Sequence, residues 1–366
     1  MVVGAGPVGL ATAIAARLHG IACIVIDRRE PPCDKACGEG ILPHGVRYLA
    51  ELGVTPPIAH PFVGIRYVDG QRTVAATFPE PALGVRRTVL FDSMRRRAEE
   101  LGCDVRFGVS ATGLRQERDH AVLETSDGDL AARLVVGADG LHSKIRDLAG
   151  IEVRPGPYPR YAARRHYAIR PWSEHVDVHW HDACEAYVTP VANNCVGVAI
   201  ISHGKLVSFD EALDRFPQLA ARLAHAEIVS PLRGAGPFHQ RVERRHLGHV
   251  ALVGDAAGYV DALTGEGLSI GFGCALALAD VIARGQPLAT YEDHYRRLTR
   301  GYYRTTGMML ALARKPALRR QAINVLSRTP RLFAALLAKH AGYPTTRNTW
   351  LGRKSSSSIS RLVGTR

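Results

Sequence analysis

The sequence predicts an α/β protein built on a doubly wound parallel sheet, with an inserted antiparallel sheet and a helical C-terminus. Three observations carry that prediction. A glycine-rich turn joins a short apolar strand to a helix at the start, over Val2-Val3-Gly4-Ala5-Gly6-Pro7-Val8-Gly9. A second turn of the same style follows the apolar run at 250–253. Between them, residues 158–236 fall into short runs that alternate apolar and polar side chains, the pattern of strands covered on one face.

At roughly 100–200 residues per domain, the 366 residues suggest two domains, consecutive or interleaved. The 46% apolar and 22% charged residues match a folded globular chain, which excludes disorder and fibrous repeats. An excess of 47 Lys and Arg over 34 Asp and Glu gives +13, a charge suited to nucleic acid, an anionic membrane or phosphorylated ligands. Arginine recurs along the whole chain, however. Neither zinc-finger spacing nor the aromatic-plus-basic signature of RNA-binding modules occurs, so no nucleic-acid partner is expected. Seven irregularly spaced cysteines make no disulfide framework, which predicts a reducing, cytoplasmic setting. The glycine turn begins at once, without the features of a secretory leader, and no apolar run is long enough to predict a membrane span.

In chain order, residues 1–3 form the first strand, 10–18 the first helix, and 21–27 a second apolar strand ending in an acid. A buried strand usually has about five or six residues, so the start of the sheet is expected upstream of Met1. Residues 31–45, rich in Cys, Gly and Pro, read as a loop before a helix near 46–52. Val89, Leu90, Met94, Ala98 and Leu101 recur at helical spacing, predicting a helix over 87–101 that Gly102 ends. Strands follow at 105–107, 121–125 and 130–136, the last leading into Gly137-Ala138-Asp139-Gly140. Runs at 161–169, 175–181, 185–189 and 196–201 make the inserted sheet, 250–253 is again a buried strand, and 254–280 is turn and helix. Beyond Tyr291 the chain is helical and basic, and the serines at 355–358 mark a disordered tail. The organisation expected is a cofactor domain over 1–157, lending strands around 61–85 to a substrate sheet at 158–240, and resuming over 241–300. C-terminal helices over 301–351 and a tail over 352–366 complete it.

Gly4-x-Gly6-x-x-Gly9 suits a dinucleotide. The first glycine permits the tight turn, the second lets backbone approach a pyrophosphate, and the third lets helix and strand pack closely. The phosphate would then sit at the helix N-terminus opened by Pro7, where free N–H groups and the helix dipole favour negative charge. Asp27, at the end of the next strand, can accept from the ribose hydroxyls of an adenosine half; Arg28 beside it is counted with the same contacts. This motif alone does not separate NAD from FAD.

The separation comes from Gly254-Asp255-Ala256-Ala257, after the 250–253 strand, and from Thr264-Gly265-Glu266-Gly267-Leu268, which opens a helix of small residues. Here the chain resembles the glutathione-reductase-type flavoproteins related to the aromatic hydroxylases. That resemblance implies FAD, with Asp255 on the ribityl chain and the helix at Gly265, Gly267 and Leu268 aimed at the flavin's pyrimidine end, where its dipole would stabilise reduced flavin. Asp139-Gly140-Leu141-His142-Ser143-Lys144-Ile145-Arg146 resembles the third signature of the same family, which supports FAD and a transient NAD(P)H; equally, Asp139 could simply cap the following helix. Arg87 matches the arginine that approaches the FAD phosphates, and Arg86 is an equal candidate by spacing. The resemblance covers roughly the first 290 residues.

Cys33-Asp34-Lys35-Ala36-Cys37-Gly38-Glu39-Gly40 contains a Cys-Gly-Glu-Gly element similar to the flavin-proximal segment of geranylgeranyl-reductase-like members. Cys37 and Glu39 are therefore expected in the substrate pocket. The cysteine spacing is not that of a redox pair, and no metal site is expected. His175, Asp177, His179 and His181 share one face of a strand. Over the flavin, one of these histidines could serve as a base for a phenol, with His179 counted in the pocket; facing solvent, these would be surface residues. Tyr187, in Glu185-Ala186-Tyr187-Val188-Thr189-Pro190, resembles a cavity-lining tyrosine of the reductase-like branch and could equally be a core aromatic with a wet tip. The halogenase signature Trp-x-Trp-x-Ile-Pro is absent. Between Met308 and Leu337, alternating apolar and basic residues predict amphipathic helices that pack on the cofactor domain or touch a membrane surface.

The expected activity is NAD(P)H-dependent FAD monooxygenation of an aromatic, polyketide or phenolic-lipid substrate. The rival within the resemblance is reduction of isoprenoid double bonds. From another class stands a flavoprotein that modifies or assists a partner protein.

Overall fold

The computed structural model describes residues 1–157, 159–204 and 208–340. The predicted tail at 352–366 lies outside the described residues. A six-stranded sheet forms the centre of the cofactor region, in the order His246–Leu247, Val250–Leu252, Val135–Gly137, Val2–Val3, Ile24–Asp27, Asp104–Phe107. All its pairs are parallel except the antiparallel edge pair 246–247 with 250–252. From Val2–Val3 the chain first builds outward on one side through Ile24–Asp27, then returns to build on the other through Val135–Gly137. The order therefore reverses beside the first strand.

Two helices rich in small residues pack tightly behind this point. The Pro7–Leu18 helix starts with proline at its first turn, where the missing N–H costs nothing, and buries Gly9, Ala11, Ala13 and Ala15. It crosses the Gly267–Ala283 helix so closely that a Cβ on Gly271 would lie 2.3 Å from Val8 Cγ2. Small residues are thus required on both faces. The Arg87–Glu100 helix and the Pro43–Glu51 helix complete that layer, and one continuous core joins all of them to the sheet.

The second sheet has nine strands and draws on distant parts of the chain: Arg160–Ala168, Cys195–His203, Cys184–Ala192, His175–Trp180, His60–Asp69, Arg72–Gly84 and Gly40–Ile41 form its main path, with Glu227–Ile228 and Arg233–Ala235 at one edge. It is not wholly antiparallel. His175–Trp180 pairs parallel with His60–Asp69, because the chain reaches it from the opposite side of the molecule after more than one hundred intervening residues. The helices Leu288–Ala313, Pro316–Arg328 and Pro330–His340 close over one face of this sheet, burying Phe62, Phe78, Val178, Trp180, Ile323 and Phe333. The short helices Phe209–Leu213 and Pro217–Leu223 cover the other.

The predicted strand at 130–136 is two strands in two sheets. Leu130–Ala132 belongs to a small three-stranded sheet with Ala111–Gln116 and Ala121–Thr125, whereas Val135–Gly137 is in the parallel sheet. Arg133 interrupts the apolar run between them, and burial changes across it: the first piece is half-covered and the second fully buried. No helix among the described residues is long and apolar enough to cross a membrane.

Candidate active site

A cavity of about 1480 Å³ runs from the carboxyl ends of Val2–Val3 and Val135–Gly137 to the underside of the C-terminal helices. Its first half is a crevice of backbone and charge. Gly4, with φ of +107°, brings its backbone against Ala138, where a Cβ would lie 2.5 Å from the carbonyl oxygen. Gly9 does not line the cavity; a Cβ there would fall 1.8 Å from Gly4 O, so it is what lets helix and turn close on each other. Gly6 and Pro7 line the crevice at the helix start.

Asp27 ends the second strand, almost fully buried, and its carboxylate accepts from the backbone amides of Ala5 and Arg29, both at 2.9 Å. The Arg29 guanidinium adds two longer bonds of 3.2 Å. Asp27 thus ties the glycine turn to the following loop while lining the cavity, and Arg28 lies exposed at the mouth. Arg87 lines the crevice with a guanidinium nitrogen 3.5 Å from where a Gly6 Cβ would be, and its buried Nε has no hydrogen-bond partner. Arg86 does not line the cavity, so the structure separates two arginines that spacing left equal.

The facing wall is built by the other two signature segments. Asp139 accepts from Ser143 Oγ at 2.5 Å and from the Ile145 amide at 3.1 Å, while Ser143 caps the Lys144–Leu148 helix through the Arg146 amide. Burial raises the Asp139 carboxyl despite those bonds. Capping and cavity-lining are therefore both true of Asp139. Buried Arg146 reaches Ala256 O at 3.5 Å and Gln240 Oε1 at 3.1 Å, fastening this segment to the Gly254–Ala257 turn. Gly254, Asp255, Gly265, Gly267 and Leu268 all line the cavity, the last two opening the Gly267–Ala283 helix. Beside them, burial pushes the Glu266 carboxyl up to about 8.

The 33–40 loop crosses this wall. Lys35 pairs with Asp255 at 3.4 Å, and Cys37 lines the cavity with its sulfur accepting from the Glu39 amide. Glu39 has φ of +59°, uncommon for a residue with a side chain. Its carboxylate lines the cavity but is spent on the Arg87 amide at 2.8 Å and His166 Nε2 at 2.5 Å. Behind it, Arg164 bonds His166 Nδ1, Lys35 O and Asp34. Burial would raise the Asp34 carboxyl, but Arg164 and Arg233 outweigh it and hold it below its ordinary value. Arg164 and His166 were not foreseen. The available signal was a strand that sets three polar residues, Arg160, Arg164 and His166, on one face with Ala162 between them, all three buried.

Beyond the crevice the cavity becomes apolar, walled by Phe62, Val176, Val178, Met309, Leu326 and Phe333. Tyr187 lines it and donates to Leu263 O at 3.1 Å; burial raises its phenol well above the ordinary value, so it stays a proton donor. His179 is a correction. The two-residue period of its strand turns Val176 and Val178 to the cavity and His175, Asp177 and His179 to the far face. There Asp177 holds Arg66 and Trp172, and the His179 ring packs 6.2 Å from Phe216. That face lies away from the cavity, partly covered by the Phe209–Leu213 and Pro217–Leu223 helices.

Doubly wound sheets bind dinucleotides at this place, outside the carboxyl ends of strands where the order reverses. The chain belongs to the FAD binding domain family, whose model matches residues 1–297. It is an FAD-dependent oxidoreductase, and the unpartnered Arg87 Nε beside Gly6 leaves a cationic donor at the cavity wall that an anionic group fits. The chain is similar to digeranylgeranylglycerophospholipid reductase 2 of Methanosphaera stadtmanae, 28% identical over 74% of this chain and 73% of the relative. It is also similar to rifampicin monooxygenase of Streptomyces venezuelae, 26% identical over 80% of this chain and 64% of that one. A flavoprotein/dehydrogenase from Cytophaga hutchinsonii shares the fold, with a TM-score of 0.83 at 18% identity over 93% of this chain and 92% of that one.

Proposed function

We propose that the chain is an NAD(P)H-dependent monooxygenase that hydroxylates an apolar aromatic, polyketide or phenolic-lipid molecule. The observation that carries this reading is the continuity of the cavity: the crevice opens without a break into an apolar chamber walled by Phe62, Val176, Val178 and Phe333, about 1480 Å³ in all. Bound FAD would supply two-electron chemistry, in which the two electrons of NAD(P)H let dioxygen give one oxygen atom to the substrate and the other to water.

The chain's own residues bind and orient. In this reading Gly4, Gly6 and Pro7 hold the pyrophosphate with Arg87 above it, and Asp27 with Arg28 meets the adenosine half. Asp255 and the Gly267–Ala283 helix start take the ribityl and pyrimidine ends. Phe62, Val176, Val178 and Phe333 exclude water, which strengthens the polar interactions that remain. Tyr187 offers a fixed donor-acceptor oxygen at the wall, and Cys37 and Glu39 shape the loop beside it.

A second reading, reduction of isoprenoid double bonds, is favoured by the Cys37-Gly38-Glu39-Gly40 loop and by similarity to the Methanosphaera reductase. Product mass separates the two. Anaerobically reduced enzyme is mixed with oxygen and a panel of phenols, polyketides and prenylated lipids. A product carrying one added oxygen atom is expected; products that gain only two hydrogens, formed equally well without oxygen, overturn the monooxygenase reading.

A further inference from the structure

Positive charge is concentrated, not spread, along this chain: no Asp or Glu follows Asp293, while Lys and Arg recur to the end. Among the described residues this acid-free stretch is helical, occupying most of Leu288–Ala313 and all of Pro316–Arg328 and Pro330–His340. Arg296, Arg319 and Arg320 spend their charge on Glu292, Asp69 and Asp182. Arg304, Lys315, Arg328 and Arg331 are exposed and have no carboxylate partner among the described residues.

The same helices expose aliphatic side chains. Met308, Leu318, Val325, Leu332 and Leu336 are each between 46% and 55% accessible. Four of them, Met308, Leu318, Val325 and Leu336, also line the cavity. They form a rim with one side on the chamber and the other on the surface. Isolated exposed apolar residues need no explanation, but several of them that also line a cavity, on helices that carry exposed cations, mark an interaction surface.

We propose that this face docks on an anionic lipid bilayer, the cations meeting headgroups and the apolar rim entering the acyl boundary, so that an amphiphilic substrate passes into the chamber without crossing water. Charge complementarity selects that occupant. A second copy would oppose the same acid-free face to itself. The chain's own residues 341–366 carry Arg347, Arg353 and Lys354 and no acid, so they have the same sign. A nucleic acid would gain from aromatic stacking platforms, whereas this rim is aliphatic. The proposal deepens the reading of the cavity as an apolar-substrate chamber, but vesicle binding is read without turnover, so the two fail separately.

The test is flotation of FAD-loaded full-length protein with phosphatidylcholine vesicles, with or without phosphatidylglycerol. The protein is expected to float only with the anionic vesicles, and to be released at about 1 M salt, where screening shortens to about 3 Å. The triple substitution Lys315→Glu, Arg328→Glu, Arg331→Glu is expected to lower partitioning at least roughly tenfold, leaving flavin content and NAD(P)H oxidation unchanged. Leu332→Gln, which leaves every charge in place, is expected to weaken binding as well. Equal flotation with neutral vesicles, no flotation, or displacement from anionic vesicles by a modest concentration of RNA overturns the proposal. So does a dimer in solution that the triple substitution abolishes.

Discussion

Arg87 and Glu39 divide labour at the entrance of the site. The Glu39 carboxylate fixes the first amide of the Arg87–Glu100 helix, and the Arg87 side chain is thereby left over Gly6 with its Nε unspent. Charge-assisted bonds are worth about 1.5–3 kcal/mol each, so Arg87→Ala is expected to weaken FAD binding by roughly ten- to a hundredfold, read by flavin fluorescence titration, with the fold intact by circular dichroism. Arg86→Ala, at a residue that does not line the cavity, is expected to leave that affinity near its original value. A pH prediction rests on Glu266. Its folded value of about 8 lies above the ordinary 4.5, so the stability it contributes is fully present below about 4.5 and is lost as pH rises through about 8. Relative to the wild type, Glu266→Gln is therefore expected to gain melting temperature steadily across that window and to show no difference below it. A constant offset at all pH values would exclude the buried carboxyl as the cause. At this scale the glycines were legible because each answers a local demand, a positive φ at Gly4 or a 1.8 Å approach at Gly9. The choice between Arg86 and Arg87 was not, since spacing places both at the helix start. Nor was His179, because a two-residue period says which residues share a face and is silent on which face meets the cavity.

In the Pro316–Arg328 helix, nearly buried Arg319 bonds Asp69 and Asp182 and lies 5.6 Å over the Trp180 ring, beside the Arg320 pair with Asp182 and the buried Ile323. Arg319→Ala leaves the largely buried Asp69 carboxylate unpaired. It is expected to destabilise that helix by about 2–4 kcal/mol and to speed amide exchange there by more than tenfold, with the parallel sheet unaffected. Uniform exchange in both regions would refute a local role. Elements with a strong local pattern were read nearly to the residue: helix 87–101 is Arg87–Glu100, and strand 121–125 stands as predicted. The split of 130–136 had a signal in Arg133, the one charged residue in the run, but a single arginine does not say that two different sheets meet there. The Ala111–Gln116 strand was missed because its exposed polar residues give it no marked alternation. The parallel pairing of His60–Asp69 with His175–Trp180 is a fact about distant chain segments, and neither strand's sequence records its partner.

As a whole, the molecule places its cofactor crevice and apolar chamber in one continuous space between two sheets, and this was the hardest level to read from sequence. Composition gave the net charge, yet the impression of evenly distributed arginine concealed that no acid follows Asp293. Because the crevice walls come from three separate segments, a ligand that spans them should stabilise the entire fold. Saturation with FAD at about a hundred times its dissociation constant is expected to add about 2.7 kcal/mol, seen as a rise in melting temperature that Arg87→Ala diminishes; an unchanged transition would mean that the crevice is not where FAD binds. The first strand has a further consequence. Val2–Val3 lies between neighbours at Ile24–Asp27 and Val135–Gly137, and Gly137 O in turn accepts from the Val253 amide. At about 5–20 residues per second of synthesis, the second neighbour emerges on the order of ten seconds after the first strand, and the wall bearing Gly254 later still. For that interval Val2–Val3 has a partner on one edge only, so closure of the parallel sheet waits on a segment made more than a hundred residues later.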